Sequence, residues 1–355
     1  MKAAKPIDQV DSNNSISEEL LDVADCVEDL SLLVCHELRT PLTAIKGVLG
    51  LLHRGHLDPD SAEGQQLLST ALDNINRLVR LASAIEHQPS VYSNVLPLEA
   101  IERFRLIADL KSALDREELF LLYQPIVSLT NKRICGFEAL VRWKHPTKGI
   151  ISPTTFIPLA EEAGLIHQIG IWVLEQSCKS LKTLQLQLGD ESLSMHVNLS
   201  VLQLLRSNLA PKVQQVLGET ELPASCLKLE ITESALIENY ALASAVLADL
   251  EALGVLFNID DFGTGYSSLS RLQDLPISAL KIDRSFIKSK RWSTVRGVML
   301  LANTLDLEVI AEGVETLEEL ETIRKLGCDR VQGYFFSPPV DEQATVALMT
   351  IPLAA

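Results

Sequence analysis

A series of short apolar runs, each ending in a polar residue, constrains this chain most. Ile134 to Phe137 leads into Glu138, Met195 to Val197 into Asn198, and Leu227 to Leu229 into Glu230. Val255 to Ile259 leads into Asp260 and Asp261, Ala279-Leu280 into Lys281, and Leu307 to Ala311 into Glu312. Runs this short, rich in β-branched residues and alternating with longer amphipathic stretches, predict parallel strands joined by helices. Asn198 follows Glu138 by 60 residues, Glu230 follows Asn198 by 32, and Asp260 follows Glu230 by 30. Lys281 follows Asp261 by 20, and Glu312 follows Lys281 by 31. Each gap suits one strand-helix unit, and the first suits two. In a barrel of eight such units the C-terminal strand ends meet on one face. Glu138, Asn198, Glu230, Asp260, Asp261 and Glu312 would then share a pocket. Five carboxylates cannot all stay ionised there without cations, and hard divalent metals are the natural partners of oxygen ligands. The residues point to a metal-dependent hydrolase.

At 355 residues the chain has room for one large domain and a smaller one. No apolar run approaches the length of a membrane span and no signal-type segment opens the chain, so a cytoplasmic location is expected. Six scattered cysteines show no metal or disulfide spacing, which makes reduced thiols the expectation. A net charge of −16 argues against binding polymeric nucleic acid. It leaves room for a small phosphodiester if metals supply the positive charge.

The amino-terminal quarter is built differently. Residues 1–14 form a polar, flexible, acidic start, and from Asp8 to Asp29 there are eight acids and no lysine or arginine. Ser15 and Glu18 have capping-box spacing, so a helix should begin there. Ile16, Leu20, Val23, Val27, Leu30 and Val34 then form a heptad seam. The spacing slips through Leu38 and Leu42 before Ile45, Leu49 and Leu52 resume it, and a distortion is expected around His36 and Pro41. After a break at Gly55 and Asp58-Pro59, a second seam runs through Leu68, Ala71, Ile75, Leu78, Ala82 and Ile85. One such hairpin exposes too much apolar surface to stand alone, and a homodimeric four-helix bundle would cover it.

His36-Glu37-Leu38-Arg39-Thr40-Pro41-Leu42 on the first helix resembles the phosphoacceptor box of the histidine kinase dimerisation (HisKA) domain, and the resemblance covers residues 15–87. It implies His36 as candidate phosphoacceptor, assisted by Glu37 and Thr40. No ATP-binding kinase motif follows, so self-phosphorylation is not expected. Either the hairpin serves as a dimeriser alone, or His36 takes phosphate from a separate histidine kinase or a response regulator. Residues 88–118 read as a linker and a connecting helix, with Ile101, Phe104, Ile107, Leu110 and Leu114 at helical spacing.

Residues 119–350 resemble the EAL-domain family of cyclic di-GMP phosphodiesterases along their whole length. The matching pieces are Tyr123-Gln124-Pro125, Glu138-Ala139-Leu140-Val141-Arg142-Trp143, Val197-Asn198-Leu199-Ser200, Leu229 to Ser234, Asp260 to Gly265, Leu280 to Asp283, Ala311 to Glu315, and Val331-Gln332-Gly333-Tyr334. Eight pieces in order are far more specific than one tripeptide. The resemblance implies a TIM-like (β/α)8 barrel with one antiparallel strand. It makes Glu138, Asn198, Glu230, Asp260, Asp261 and Glu312 ligands of two Mg²⁺ or Mn²⁺ ions. Two such ions would activate a shared water and stabilise the charge of an in-line attack. Lys281 matches the residue that holds the attacking water, and Glu312 serves the family as metal ligand and base. Gln124, Leu140, Arg142, Glu315 and Gln332 match substrate-contacting positions. Glu233 matches the residue that anchors the loop from Asp261 to Leu269.

Adjacent Asp260 and Asp261 would face opposite sides of a regular strand, so a strand end or bulge is needed to aim both inward. Several of these residues have plainer readings when taken singly. Asp261 or Glu233 could cap a helix, Arg142 and Trp143 could form a surface cation-π pair, and His145, His167 and His196 read as surface or core residues. The leading expectation is hydrolysis of cyclic di-GMP to 5′-pGpG. The alternatives are a catalytically silent cyclic di-GMP receptor and a scaffold or phosphotransfer module.

Overall fold

A computed structural model describes residues 41–51, 61–87, 98–206, 208–233, 240–264, 272–273 and 275–350. The expected first helix from Ser15 through residue 40, with His36, the break at Gly55 to Pro59, the linker from Gln88 to Pro97, and Gly265 to Leu269 lie outside these residues. Two compact units divide at Leu110 and Lys111.

In the first unit, residues 41–51 and Ala62–His87 are helical. Val48 and Ala71 are buried, with Ile45, Leu51, Leu67 and Leu68 packed against them. Leu42, Leu49, Leu72 and Ile75 remain exposed. The predicted seam therefore splits: Ile45, Leu68 and Ala71 turn inward, while Leu42, Leu49 and Ile75 do not. A third helix, Leu98–Ala113, is shorter than the connecting stretch read from the sequence. Turns at 114–117 end it, and Glu117 adopts φ 54°.

The second unit is a closed sheet. Its strands are β1 (Leu119–Ser128), β2 (Arg133–His145), β3 (Gly149–Ile151), β4 (Ser194–Asn198), β5 (Leu227–Thr232), β6 (Leu256–Phe262), β7 (Ala279–Ile282), β8 (Glu308–Ala311) and β9 (Arg330–Gln332). The order is β1-β9-β8-β7-β6-β5-β4-β2-β3, and β1 also pairs with β2, which closes eight strands into a barrel and leaves β3 as a hairpin extension. β1 runs antiparallel to both neighbours, β2 and β9. The remaining barrel pairings are parallel. This is the TIM-like barrel with one reversed strand.

Helices cover the outside, so the parallel strands are buried on both faces and read as continuous apolar runs. β5 is buried from Leu227 through Ile231. The helix Ile166–Leu188 buries Ile166, Ile169, Val173, Leu174, Cys178, Leu181 and Leu184 at helical spacing and ends at Gly189, whose φ of 65° suits a left-handed cap. Full burial of a side chain of this size contributes about 1.5–3 kcal/mol. Trp143 is fully buried and donates its indole N–H to Glu118 Oε2 at 2.9 Å, so the surface cation-π reading of Arg142 and Trp143 does not hold. Cys135, Cys178, Cys226 and Cys328 carry free thiols.

Candidate active site

The strand ends bring the predicted polar residues together. Lys281 on β7 is 1% exposed, and its Nζ sits among four carboxylates. It lies 2.6 Å from Glu230 Oε2, 2.6 Å from Glu312 Oε1, 3.0 Å from Asp260 Oδ1 and 3.5 Å from Glu138 Oε2. Glu138, Glu230 and Asp260 lie within β2, β5 and β6, and Glu312 directly follows β8, so only closure of the barrel assembles them. Asp260, Asp261 and Glu312 each offer an oxygen within 4.8 Å of the others. Asp261 reaches this position through a register shift between Ile259 and Phe262 and a φ of 53°. Such a backbone is tolerated by aspartate more readily than by most residues. It resolves how two adjacent aspartates approach one site.

Glu138 is held on both oxygens. Asn198 Nδ2 donates to Oε1 at 2.7 Å and Gln332 Nε2 to Oε2 at 2.6 Å. That orientation leaves Asn198 Oδ1 as the amide's acceptor. Gln332 Nε2 also donates to Gln124 Oε1 at 3.0 Å, and both glutamines face the site because reversed β1 pairs Gln124 with Glu138 and Ile126 with Gln332. Gly333 permits this arrangement. A Cβ there would stand 2.1 Å from Val314 O, so the turn after Gln332 can press against the loop that follows Glu312 only without a side chain.

Around the carboxylates, half-buried Arg142 donates to Val141 O at 2.9 Å and forms no ion pair with a described carboxylate. Leu140 is half-buried, two residues beyond Glu138 on the same strand face. Glu315 is engaged by Lys288 on the site's rim. Glu233 is buried, and its Oε2 accepts from Gly263 N–H at 3.1 Å, which ties down the start of the Asp261 loop.

The electrostatics are unbalanced. Burial, followed by repulsion from Asp260, raises Glu230 to about 7 despite Lys281. Burial raises Asp261 to about 6, with Asp260 and Asp283 adding to it. Burial also raises Glu138 and raises Glu312 well above the usual carboxylate range. For Lys281, burial works against the charge, but Asp260, Glu138, Glu230 and Glu312 together overcome it and hold the ammonium well above its ordinary value. One ammonium cannot neutralise four carboxylates. Asp260 Oδ1 is buried and, apart from its ion pair with Lys281, has no hydrogen-bond partner. An all-oxygen donor set with surplus negative charge fits hard divalent cations.

Two further residues carry the site from beneath. His196 is fully buried, with Nδ1 2.8 Å from Glu230 Oε1, and Asn258 Nδ2 lies 3.0 Å from that nitrogen. His196 is thus a core residue, as the sequence reading had it, but one that touches the site. Strand alternation carries the missing signal: His196 and Asn258 stand two residues before Asn198 and Asp260, on the same strand faces. His145 caps its own turn, its Nδ1 receiving the N–H groups of Thr147 and Lys148 at 3.2 Å each. His167 accepts from Arg206 Nε at 3.1 Å.

Comparison with known proteins is specific. The EAL domain family model matches residues 107–339, and the His Kinase A (phospho-acceptor) domain model matches residues 28–86. The chain is 41% identical over 261 residues to the bifunctional diguanylate cyclase/cyclic di-GMP phosphodiesterase MucR of Pseudomonas aeruginosa, covering 72% of this chain and 38% of MucR. It is 38% identical over 306 residues to the cyclic di-GMP phosphodiesterase NbdA of the same organism, covering 80% of this chain and 39% of NbdA. The chain therefore spans about two-fifths of the length of these relatives. The solved structure of the PaMucR phosphodiesterase in complex with c-di-GMP superposes with a TM-score of 0.65 at 43% identity, covering 68% of this chain and 99% of that one. Among the described residues, no helix is long and apolar enough to cross a membrane.

Proposed function

This chain belongs to the EAL-domain family, and on that premise we propose that it hydrolyses cyclic di-GMP to linear 5′-pGpG as a metal-dependent phosphodiesterase. The observation that carries this reading is the convergence of Glu138, Glu230, Asp260 and Glu312 on Lys281 Nζ at the C-terminal mouth of the barrel. The names of MucR and NbdA support the substrate class.

Glu138, Asn198 through Oδ1, Glu230, Asp260, Asp261 and Glu312 would hold two Mg²⁺ or Mn²⁺ ions. These would supply a water of lowered pKa and countercharge for the phosphorane-like transition state. The chain's own groups do the rest. Arg142, with no carboxylate ion-pair partner among the described residues, grips the phosphodiester through its planar guanidinium. Lys281 Nζ orients the attacking water and faces the negative charge that develops on phosphorus. Glu312 Oε1, 2.6 Å from Lys281 Nζ, receives the water's proton. A new P–O bond forms as the bond to the 3′-oxygen breaks, and the 3′-oxygen leaves in line and is protonated. Gln124 and Gln332 fix Glu138, and Leu140 and Glu315 border the substrate.

The helical hairpin serves as a dimeriser in this reading. Leu42, Leu49, Leu72 and Ile75 form the apolar surface that a second copy would cover. His36 is the point where a histidine kinase or response regulator would act. Turnover of cyclic di-GMP by the purified protein with Mg²⁺ or Mn²⁺, beside Glu138→Ala, tests the proposal.

A further inference from the structure

Glu230 has both carboxylate oxygens engaged by buried groups from other strands. Oε2 accepts from Lys281 Nζ on β7 at 2.6 Å, and Oε1 lies 2.8 Å from His196 Nδ1 on β4. Lys281 has several carboxylates to choose from. Among the described residues His196 has one, and its surroundings leave the ring little freedom. The side chain is fully buried and its Nε2 lies 3.4 Å from Ser194 Oγ, while Asn258 Nδ2 packs 3.0 Å from Nδ1 without a hydrogen bond to it, since that nitrogen's proton goes to Glu230. The orientation of Asn258 is set in turn, because its Oδ1 accepts from Ser278 Oγ at 3.2 Å. The Asn258 amide also favours the ionised form of Glu230, so His196 and Asn258 act on one carboxylate from β4 and β6.

A buried histidine far from any ligand would satisfy both nitrogens on backbone or hydroxyl groups. His196 instead spends its better hydrogen bond on a residue that the proposed function assigns to a cation. Groups in this relation orient a ligand and limit which of its oxygens meets the metal.

We propose that His196, packed against Asn258 and Ser194, is a positioning residue for Glu230. Its Nδ1–H fixes Oε1 and leaves Oε2 as the oxygen that exchanges Lys281 for a divalent cation. The inference rests on the metal-dependent reading above and adds a residue to it. No chemistry passes through His196, which acts by holding Glu230.

The test is Mn²⁺ binding to the full chain, followed by electron paramagnetic resonance of free Mn²⁺, for wild type, His196→Leu, His196→Asn and His196→Gln. An asparagine amide can stand where Nδ1 stood, whereas a glutamine amide falls near Nε2. His196→Leu and His196→Gln should each weaken Mn²⁺ binding about 10- to 100-fold, and His196→Asn should recover most of that loss. Equal affinity in all four proteins would overturn the inference, as would equal rescue by asparagine and glutamine, which would mean that His196 only fills space. If His196→Leu does not fold, the asparagine and glutamine pair decides alone. Failure of wild type to bind Mn²⁺ would overturn the metal-dependent reading itself, a result distinct from failure of the inference.

Discussion

Lys281 Nζ lies 2.6 Å from Glu230 Oε2 in the interior of the barrel, and both side chains are almost wholly buried. An ion pair removed from water is costly to break, since loss of one partner strands the other's charge. Here one ammonium serves four carboxylates at once. It balances part of the charge in a site whose residues otherwise repel each other.

Lys281→Met keeps much of the volume and removes that charge. The metal-free variant should lose about 3–5 kcal/mol of stability, the usual cost of an orphaned buried charge. Turnover should fall by about 10²-fold or more. Thermal melting in EDTA and then in Mn²⁺ checks both parts: the ion should restore stability but not turnover.

Divalent metal should offset the pH dependence of stability. Glu230 is raised to about 7 when folded, above the ordinary carboxylate value of the unfolded chain. The folded state therefore binds this proton more tightly, and the stability it contributes is present at low pH and is lost as pH rises through 7. Asp261, raised to about 6, acts in the same direction. In EDTA the melting temperature should fall between pH 5 and pH 8. Divalent cations bind the deprotonated carboxylates, so Mn²⁺ should raise the melting temperature more at pH 8 than at pH 5. A flat profile in EDTA would contradict the assignment.

Arg142→Lys keeps the charge and loses the fork. If Arg142 grips the phosphodiester, KM should rise about tenfold, or about 1.4 kcal/mol, with a smaller change in kcat. Steady-state kinetics separates the two constants. An unchanged KM would place Arg142 outside the substrate contacts.

Much of the barrel was legible because each strand ends its apolar run in a polar residue, a pattern that survives without knowledge of pairing. Alternation and spacing located Glu138, Asn198, Glu230 and Lys281, and adjacency alone implied that Asp260 and Asp261 need an irregular strand. What stayed hidden depends on closure. Nothing in the local sequence around Lys281 says that four strands aim carboxylates at one nitrogen, or that Gly333 must be bare for Gln332 to reach Glu138. His196 and Asn258 were obscured for another reason, being single polar residues inside apolar runs. In the hairpin, a heptad seam names the apolar positions but not which of them face the partner helix, so Leu42 and Leu49 looked no different from Ile45.

That division of the seam yields a prediction of its own. Leu49→Arg combined with Leu72→Arg places charge on the exposed apolar face and leaves Val48 and Ala71 packed. If that face pairs with a second copy, as proposed, the double variant should lower the mass in light scattering from a dimer's to a monomer's, with cyclic di-GMP hydrolysis retained. An unchanged mass would mean that this face does not pair with a second copy.

The most direct measurement is chromatographic analysis of cyclic di-GMP incubated with purified protein and Mg²⁺ or Mn²⁺, beside the same reaction in EDTA and with Glu138→Ala. The account predicts 5′-pGpG from the metal-loaded wild type and none from either control. Tight binding of cyclic di-GMP by the metal-loaded protein without any linear product would contradict it and make the barrel a receptor.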